Sequence, residues 1–335
     1  MRAAIYSGAG GPEVISFGEV PNPEVKPGYI RVRVGAAGLN RPDLVQRRGH
    51  YPAPKGWPAD IPGLEYAGEV EAARGVSRWK VGDRVMGLVG GGAQAEMVVV
   101  HEDEALPIPN GLSDAEAAAI PEAFLTAYDA LVARAHLAAG ERVLIHAVGS
   151  GLGTAAIQVA RHLGATVLGT SRSTGKLARA SVYGLDHGID TSGGSFRNMV
   201  GEPVHVILDL LGGPAFNDNL AVLAPRGRLV MLGHLAGGKV ADADLAPVLR
   251  KRLEVIGTLM RPRTHEERVP LVREFTERMI PLFDQRIEHA APLRPVVERV
   301  FPMTELAEAH RLLENNETFG KVVLTWSKDQ RVAPR

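Results

Sequence analysis

The segment from Glu141 to Leu163 constrains the fold more than any other part of the chain. It opens with an apolar run, Glu141-Arg-Val-Leu-Ile-His-Ala-Val148, which is typical of a strand buried in a parallel sheet. A glycine-rich turn follows, and from Gly151 onward small and apolar residues recur with helical spacing. A buried strand that passes through a glycine turn into a helix is typical of a dinucleotide-binding α/β domain.

The same alternation continues toward the C-terminus. Further strands are predicted at 166–170, 204–210, 228–232 and 253–259, with helical stretches between them, the first at 176–183. Alternating strands and helices predict a doubly wound parallel sheet of the Rossmann type, which we assign to residues 123–266.

The first third of the chain has a different pattern. It is rich in Gly and Pro, and short strands are predicted at 30–34, 68–72, 84–88 and 95–100, as in an irregular barrel or sandwich. Helices near 268–283 and 305–314 and a strand at 321–326 do not continue the α/β alternation. We therefore predict that residues 267–335 return to a mostly β domain formed by residues 1–122.

Composition excludes several kinds of chemistry. Lys plus Arg and Asp plus Glu are both 38, so charge gives no reason to expect a nucleic-acid partner. There is no cysteine, which excludes disulfides, thiolate catalysis and cysteine-ligated zinc. No apolar run approaches the roughly 18 residues of a membrane span, and the N-terminus does not resemble a signal peptide. We expect no membrane association and a cytoplasmic location.

The glycine turn is the strongest local motif. Glycine lets the backbone approach a pyrophosphate, and the helix behind the turn offers free N–H groups. Val148 and Ser150 stand where a G-x-G-x-x-G motif would have its first two glycines, so a simple connecting turn remains the alternative. The candidate cofactor contacts in the turn are Gly149, Ser150, Gly151 and Leu152, with Gly153 packing the helix on the strand.

The end of the second strand decides the choice of cofactor. NAD sites usually carry an acidic residue there, but the stretch from Gly169 to Lys176 contains none. Ser171, Arg172 and Lys176 would instead bind a 2′-phosphate, which favours NADPH over NADH. The alternative is a solvated basic turn.

At this point the chain resembles the quinone oxidoreductases of the medium-chain dehydrogenase/reductase superfamily, from Met1 to Leu324. The resemblance is carried by Gly38-Leu-Asn-Arg-Pro-Asp43, Pro62-Gly-Leu-Glu-Tyr-Ala-Gly68, Pro121-Glu-Ala-Phe-Leu-Thr-Ala-Tyr128 and Gly320-Lys-Val-Val-Leu324. It implies that the β domain is GroES-like. The subgroup it resembles most contains the tumour-suppressor-induced NADPH quinone oxidoreductase, whose glycine turn also has a serine at the position of Ser150.

The resemblance also implies that the protein works without zinc. The family's zinc-dependent members hold the metal with Cys, His and Cys, and these positions are Asn40, Leu64 and Glu122 here. Without a Lewis acid to polarise an alcohol, an acceptor that is already electrophilic is favoured.

Further site residues follow from the resemblance. Those expected near the cofactor are Thr126, Gly233, Leu259, Met260, Arg261 and Lys321. Asn40, Asp43 and Tyr51 would line the acceptor side, where Tyr51 would hydrogen-bond a quinone oxygen and, like solvent, is a candidate proton donor. For Asn40 and Asp43 the alternative is a capping role, for Tyr51 loop packing, and for Lys321 an ordinary exposed lysine. We expect His146 to be packed rather than catalytic.

The leading interpretation is therefore NADPH-dependent reduction of quinones, by hydride or single-electron transfer. Reduction of an activated enone is the enzymatic alternative, and a nicotinamide-binding regulatory or RNA-binding protein is an alternative of another class. An edge strand at 254–259 and the resemblance together predict a homodimer.

Overall fold

Two compact units make up the computed structural model, which describes residues 1–284 and 292–326. One unit comprises Met1–Leu125 and Arg261–Arg335, and the other comprises Thr126–Met260. The sequence predicts boundaries after residues 122 and 266, whereas contacts divide the chain after residues 125 and 260. The C-terminal segment belongs with the β-rich first unit, as its broken α/β alternation indicates.

The first unit is built mainly from antiparallel strands. They are β1 Arg2–Tyr6, β2 Ile15–Glu19, β3 Tyr29–Leu39, β4 Glu65–Arg74, β5 Arg84–Leu88, β6 Met97–His101, β7 Ala105–Pro107, β14 Val297–Pro302 and β15 Lys321–Thr325. Seven of these strands form one sheet. Its order is β14-β15-β3-β4-β5-β7, and β6 pairs with β3 outside this path. β1 and β2 form a separate two-stranded sheet. Alternate residues of β3, among them Ile30, Val32 and Val34, enter the core.

Short helices close this unit. They are α1 Arg41–Arg47, α2 Asp114–Ala117, α8 His265–Arg278 and α9 Leu306–Glu314, with a π-helical turn at Pro121–Leu125. The helix predicted at 268–283 ends as an α-helix at Arg278, and a separate 3₁₀ turn spans Ile280–Phe283. Pro281, which lacks a backbone N–H, follows this break.

The second unit contains a six-stranded parallel sheet. Its strands are β8 Arg142–Ile145, β9 Thr166–Ser171, β10 His187–Asp190, β11 Val204–Asp209, β12 Leu223–Met231 and β13 Glu254–Gly257. Its helices are α3 Thr126–Tyr128, α4 Gly151–His162, α5 Thr174–Ser181, α6 Phe216–Val222 and α7 Ala246–Lys251, with a π-helical segment at Asp129–Arg134 after α3. The strand order β10-β9-β8-β11-β12-β13 reverses between β8 and β11. Ligands bind at such a reversal in doubly wound sheets.

The predicted α/β fold class, with a parallel sheet and a mostly β second domain, is therefore confirmed. The strand predicted at 228–232 is longer in the structure. It corresponds to β12, which begins at Leu223 and pairs with β11 from Val204 onward. Within the described residues, no helix has the length and apolar character needed to cross a membrane.

Candidate active site

A buried polar cluster lies in the first unit where β3 ends and β15 begins. Antiparallel pairing sets Val322 opposite Leu39, so Lys321 reaches the residue after Leu39, which is Asn40. The β3–β4 register sets Glu65 opposite Gly38. Three distant parts of the chain thereby bring an amide, a carboxylate and an ammonium group together.

Lys321 is the positive centre of this cluster. Its Nζ donates to Asn40 Oδ1 at 2.5 Å, to Glu65 Oε1 at 2.5 Å and to the Leu39 carbonyl at 3.1 Å. The residue is only 4% exposed, so its interpretation as an ordinary surface lysine is wrong. All three donors of the ammonium group have protein acceptors. A contact between Lys321 and the cofactor stays a prediction.

Asn40 and Asp43 form the start of α1. Asn40 is the N-cap, and its backbone N–H donates to Asp43 Oδ2 at 2.7 Å. The Asn40 side chain also donates from Nδ2 to Glu65 Oε1 at 2.8 Å. The capping role offered as the alternative for both residues is therefore observed.

The Asp43 carboxyl group uses only one of its two oxygens, Oδ2, in the capping contact. Its Oδ1 is buried and has no hydrogen-bond partner among the described residues. Burial raises the pKa of Asp43 to about 6, although the backbone hydrogen bond from Asn40 opposes this shift. A carboxyl group with this pKa exchanges its proton near neutral pH.

Glu122 joins the same cluster from the π-helical turn. Its backbone N–H donates to Glu65 Oε2 at 2.8 Å. Burial, and then the charge of Glu65, raise the pKa of the Glu122 carboxyl to about 7, while Lys321 lowers it. The cluster thus contains two carboxyl groups, Asp43 and Glu122, that hold protons more tightly than exposed carboxyl groups do.

Tyr51 lies beside a buried guanidinium group. Arg261 Nη1 donates to the Tyr51 carbonyl at 3.0 Å, and the guanidinium carbon lies 4.8 Å from the centre of the Tyr51 ring. Arg261 also donates to Gln46 Oε1 at 2.7 Å and to the Gly90 carbonyl at 2.7 Å. Burial raises the pKa of the Tyr51 phenol, so Tyr51 remains a hydrogen-bond donor at neutral pH. Arg261 fixes the segment that carries Tyr51, while its predicted position near the cofactor stays untested.

The glycine turn of the second unit follows β8 at the reversal of the sheet. Ser150 caps α4, since its Oγ accepts from the Gly153 N–H at 2.9 Å. A Cβ at Gly153 would lie 2.5 Å from the Ala147 carbonyl oxygen. The expectation that glycine allows the helix to pack closely on the strand at this position is confirmed.

The residues predicted to select the cofactor lie next to this turn. Ser171 Oγ accepts from the Ser173 N–H at 3.1 Å at the end of β9, and Arg172 between them is exposed. A Cβ on Gly149 would lie 2.7 Å from Cδ of Lys176, so the lysine side chain reaches the glycine turn. The structure therefore brings the two predicted parts of the cofactor site together.

The other predicted cofactor residues are more dispersed. Thr126 Oγ1 is buried and has no hydrogen-bond partner among the described residues, so it can donate to a ligand. Gly233 follows β12, while Leu259 and Met260 follow β13, with Leu259 51% exposed and Met260 buried. These positions lie after carboxyl ends of the parallel strands, where a dinucleotide is expected.

His146 is packed, as the sequence indicates. Its two ring nitrogens lie 2.8 Å from Thr170 Oγ1 and 2.8 Å from Asn219 Oδ1, and burial lowers its pKa. The neutral ring accepts from the Thr170 hydroxyl and donates to the Asn219 carbonyl oxygen. Its contacts are thus made within the second unit.

Sequence reasoning missed Glu65 and Gln46. Glu65 is fully buried and accepts from both Lys321 and Asn40, yet it stands within an apolar stretch that predicts a strand. A charged residue inside such a stretch is the signal that could have identified it. Gln46 carries no comparable signal, because its contact with Arg261 joins residues 215 apart in sequence.

Comparison with known proteins agrees with this architecture. Residues 26–110 match the family model described as alcohol dehydrogenase GroES-like domain, and residues 151–277 match the one described as zinc-binding dehydrogenase. A quinone oxidoreductase from Pseudomonas aeruginosa is 32% identical, over 95% of this chain and 98% of its own. A human synaptic vesicle membrane protein VAT-1 homolog-like structure has 30% identity and a TM-score of 0.83, covering 98% of this chain and 99% of that one.

An enoyl reductase named CurK is a further structural relative. It has a TM-score of 0.81 and 27% identity, covering 97% of this chain and 99% of its own. The mostly β unit is accordingly GroES-like and the parallel unit is of the Rossmann type, as predicted. The chain belongs to the medium-chain dehydrogenase/reductase superfamily of oxidoreductases, and belonging to this superfamily implies a nicotinamide cofactor.

Proposed function

We propose that this protein reduces quinones with NADPH and without a catalytic zinc ion. The observation that carries the proposal is the Lys321 ammonium group, 2.5 Å from both Asn40 Oδ1 and Glu65 Oε1. A cation of the protein itself thus occupies the cluster that contains two of the three positions corresponding to zinc ligands, Asn40 and Glu122. The third, Leu64, is aliphatic and buried. These side chains do not fit a zinc site.

A site without a Lewis acid favours an acceptor that is already electrophilic. Quinones have two conjugated carbonyl groups and need little further polarisation. The Tyr51 phenol is our proposed hydrogen-bond donor to the acceptor oxygen, since burial keeps it protonated and Arg261 fixes its backbone. Asn40 and Asp43 would shape the acceptor side through the start of α1. When bound, NADPH supplies the hydride.

The proposed choice of NADPH rests on the end of β9. Ser171 and Arg172 occupy the place where an acidic residue would bind the ribose of NAD, and Lys176 lies against Gly149. Arg172 and Lys176 would neutralise a 2′-phosphate, and Ser171 would donate a hydrogen bond to it. The α4 N-terminus, with Gly149, Ser150, Gly151 and Leu152, would hold the pyrophosphate.

Reduction of enones is the second candidate. The similarity to the CurK enoyl reductase structure favours it, because that relative shares the architecture over almost the whole chain. Both candidates use the same cofactor site and differ in the acceptor. Oxidation of NADPH with quinones and with enones, each as sole acceptor, separates them.

We further propose a homodimer formed through the edge of the parallel sheet. β13 ends the strand order of the second unit, so one side of it has no partner strand among the described residues. Val255 on this strand is 44% exposed, and Leu245 and Leu249 near it in sequence are more exposed still. An edge strand with exposed apolar side chains is suited to pairing with a second copy.

A further inference from the structure

A group of metal-binding side chains lies in the first unit, outside the polar cluster around Lys321. His101 ends β6, Asp103 lies in the turn that follows, and His265 begins α8. One ligand atom from each of the three side chains lies within 4.8 Å of the other two. We propose that His101, Asp103 and His265 bind a transition-metal ion of the zinc type, and that this ion joins α8 to the β6 end of the sheet.

The donor set matches this class of metal. Two imidazoles and a carboxylate suit Zn²⁺, Co²⁺ or Ni²⁺, whereas Mg²⁺ and Ca²⁺ prefer oxygen donors alone. Ligands bound at about 2.0 Å from a tetrahedral zinc ion lie roughly 3.3 Å apart. His101 Nδ1 is already 3.7 Å from Asp103 Oδ2. Small side-chain rotations would therefore complete the site, with solvent as the fourth ligand.

A carboxylate behind the site orients one of the histidines. His265 Nδ1 lies 2.7 Å from Glu104 Oε1, and Glu104 is buried and also paired with Arg268. Donation from Nδ1 to this carboxylate leaves the Nε2 lone pair for a metal ion. A carboxylate that holds the second nitrogen of a histidine in this way is a recurring feature of zinc sites.

Metal binding would replace one hydrogen bond of His101. His101 Nδ1 accepts a hydrogen bond from the Asp103 N–H at 3.2 Å, and metal binding through this atom would replace that long contact. The His101 and His265 rings are already close, with centroids 4.3 Å apart.

Arg78 carries a positive charge that would oppose a metal ion at this site. Its Nη1 lies 3.2 Å from Asp103 Oδ1, and its side chain is 33% exposed. Because the guanidinium group can turn toward solvent, it would weaken binding of the cation without blocking it. The metal would link residues that are 164 positions apart in sequence, and binding to the folded state alone would stabilise the first unit.

The test uses the full chain, freed of metal with a chelator and titrated with Co²⁺ and Zn²⁺. We expect one Co²⁺ per chain with the visible absorption of a tetrahedral site, displaced by Zn²⁺, and a higher melting temperature with Zn²⁺. Loss of an outer-shell partner costs roughly 10- to 100-fold in metal affinity. Glu104→Gln should therefore weaken binding by about 10-fold, and His265→Gln or His101→Gln by about 100-fold or more.

The matched control is His187→Gln, an exposed histidine of the second unit, which should leave the affinity unchanged. Circular dichroism confirms that each variant is folded before the titration. Absence of Co²⁺ binding, or binding that both His101→Gln and His265→Gln leave unaltered, would overturn the proposal. Neither result depends on quinone reduction.

Discussion

Lys321 brings a full positive charge into a cluster with the buried carboxyl groups of Glu65 and Asp43 and the neighbouring Glu122. Bringing an ion pair into the interior is costly, and the attraction offsets this cost only when hydrogen bonds satisfy the remaining donors and acceptors. Here the ammonium group has three oxygen partners, and both oxygens of Glu65 accept hydrogen bonds. The cluster therefore has one well-satisfied pair, while burial raises the pKa of Asp43 to about 6 and the pKa of Glu122 to about 7.

Removal of the ammonium group should destabilise the first unit strongly. Lys321→Met leaves the Glu65 carboxylate buried without its cation, for which we expect a loss of about 3–5 kcal/mol in the free energy of unfolding. Urea denaturation measures it. In the double variant Lys321→Met with Glu65→Gln, much of the loss should be recovered. A stability close to that of the native protein in the single variant would show that the pair does not hold the cluster together.

Glu122 should make stability depend on pH. Its pKa of about 7 in the folded protein lies above the value of 4.5 for an exposed glutamate. The folded state thus binds the proton more tightly, and the carboxyl group costs stability as pH rises from about 4.5 to 7. Glu122→Gln removes this cost, so we expect it to be nearly neutral at pH 5 and stabilising by about 2 kcal/mol at pH 8.

Thermal unfolding at the two pH values measures this difference. Glu24→Gln, which changes an exposed glutamate, serves as the control. An equal effect of Glu122→Gln at pH 5 and pH 8 would contradict the assigned pKa.

Some contacts of individual residues could be predicted from the sequence and others could not. Asn40 and Asp43 have the spacing of an N-cap and its partner, and that role is observed. The contact of Lys321 with Asn40 joins residues 281 apart, and no local pattern predicts it. Burial of Lys321 could not be predicted for the same reason, since periodicity describes one strand and not the register between strands.

At the scale of elements, the turn between β8 and α4 depends on glycine at position 153. A Cβ there would lie 2.5 Å from the backbone oxygen of Ala147. Gly153→Ala should therefore push helix and strand apart and destabilise the second unit by about 1–3 kcal/mol. Nicotinamide binding should weaken with it.

Gly175→Ala provides the matched control for the effect on stability. This residue lies in α5, and the nearest atom to its Cβ would be 3.8 Å away. Alanine should be neutral or slightly stabilising there, because it favours the helix more than glycine does. Equal melting temperatures for Gly153→Ala and the native protein would show that the turn has room for a side chain.

The segment between β9 and α5 should determine the preference between NADPH and NADH. Arg172→Ala removes a charge-assisted hydrogen bond to the proposed 2′-phosphate. A hydrogen bond of this kind contributes about 1.5–3 kcal/mol. We expect KM for NADPH to rise roughly 10- to 100-fold while KM for NADH changes little. Arg179→Ala, at an exposed position near the other end of α5, is the control. A similar rise in KM for NADPH and for NADH would show that Arg172 does not bind the 2′-phosphate.

The elements themselves were largely predictable. The parallel strands, the α4 helix and the return of the C-terminal segment to the first unit follow from hydrophobic periodicity and from the break in alternation. The π-helical turn at Pro121–Leu125 was not predicted, because such turns depend on tertiary packing and have no periodic signature. Glu122 lies in this turn, so its membership of the buried cluster could not be inferred from local pattern.

At the scale of the whole molecule, the position of β13 at the end of the strand order predicts the oligomeric state. Val255→Lys places a charge on the strand that we propose to pair with a second copy, and it should convert the dimer to monomer in size-exclusion chromatography with light scattering. Val182→Lys, at a position that is 81% exposed in the same unit, should leave the dimer intact. A native protein that is already monomeric would contradict the proposed interface.

The most direct test of the account is NADPH oxidation by a panel of ortho- and para-quinones and enones in the presence of a metal chelator. We predict turnover of quinones that prefers NADPH to NADH and is unaffected by the chelator. Turnover of enones alone would make the protein an enone reductase. Turnover that requires added zinc even in the His265→Gln variant would contradict the assignment of Lys321 as the cation of the cluster. Tight NADPH binding without any turnover would favour a regulatory or RNA-binding role.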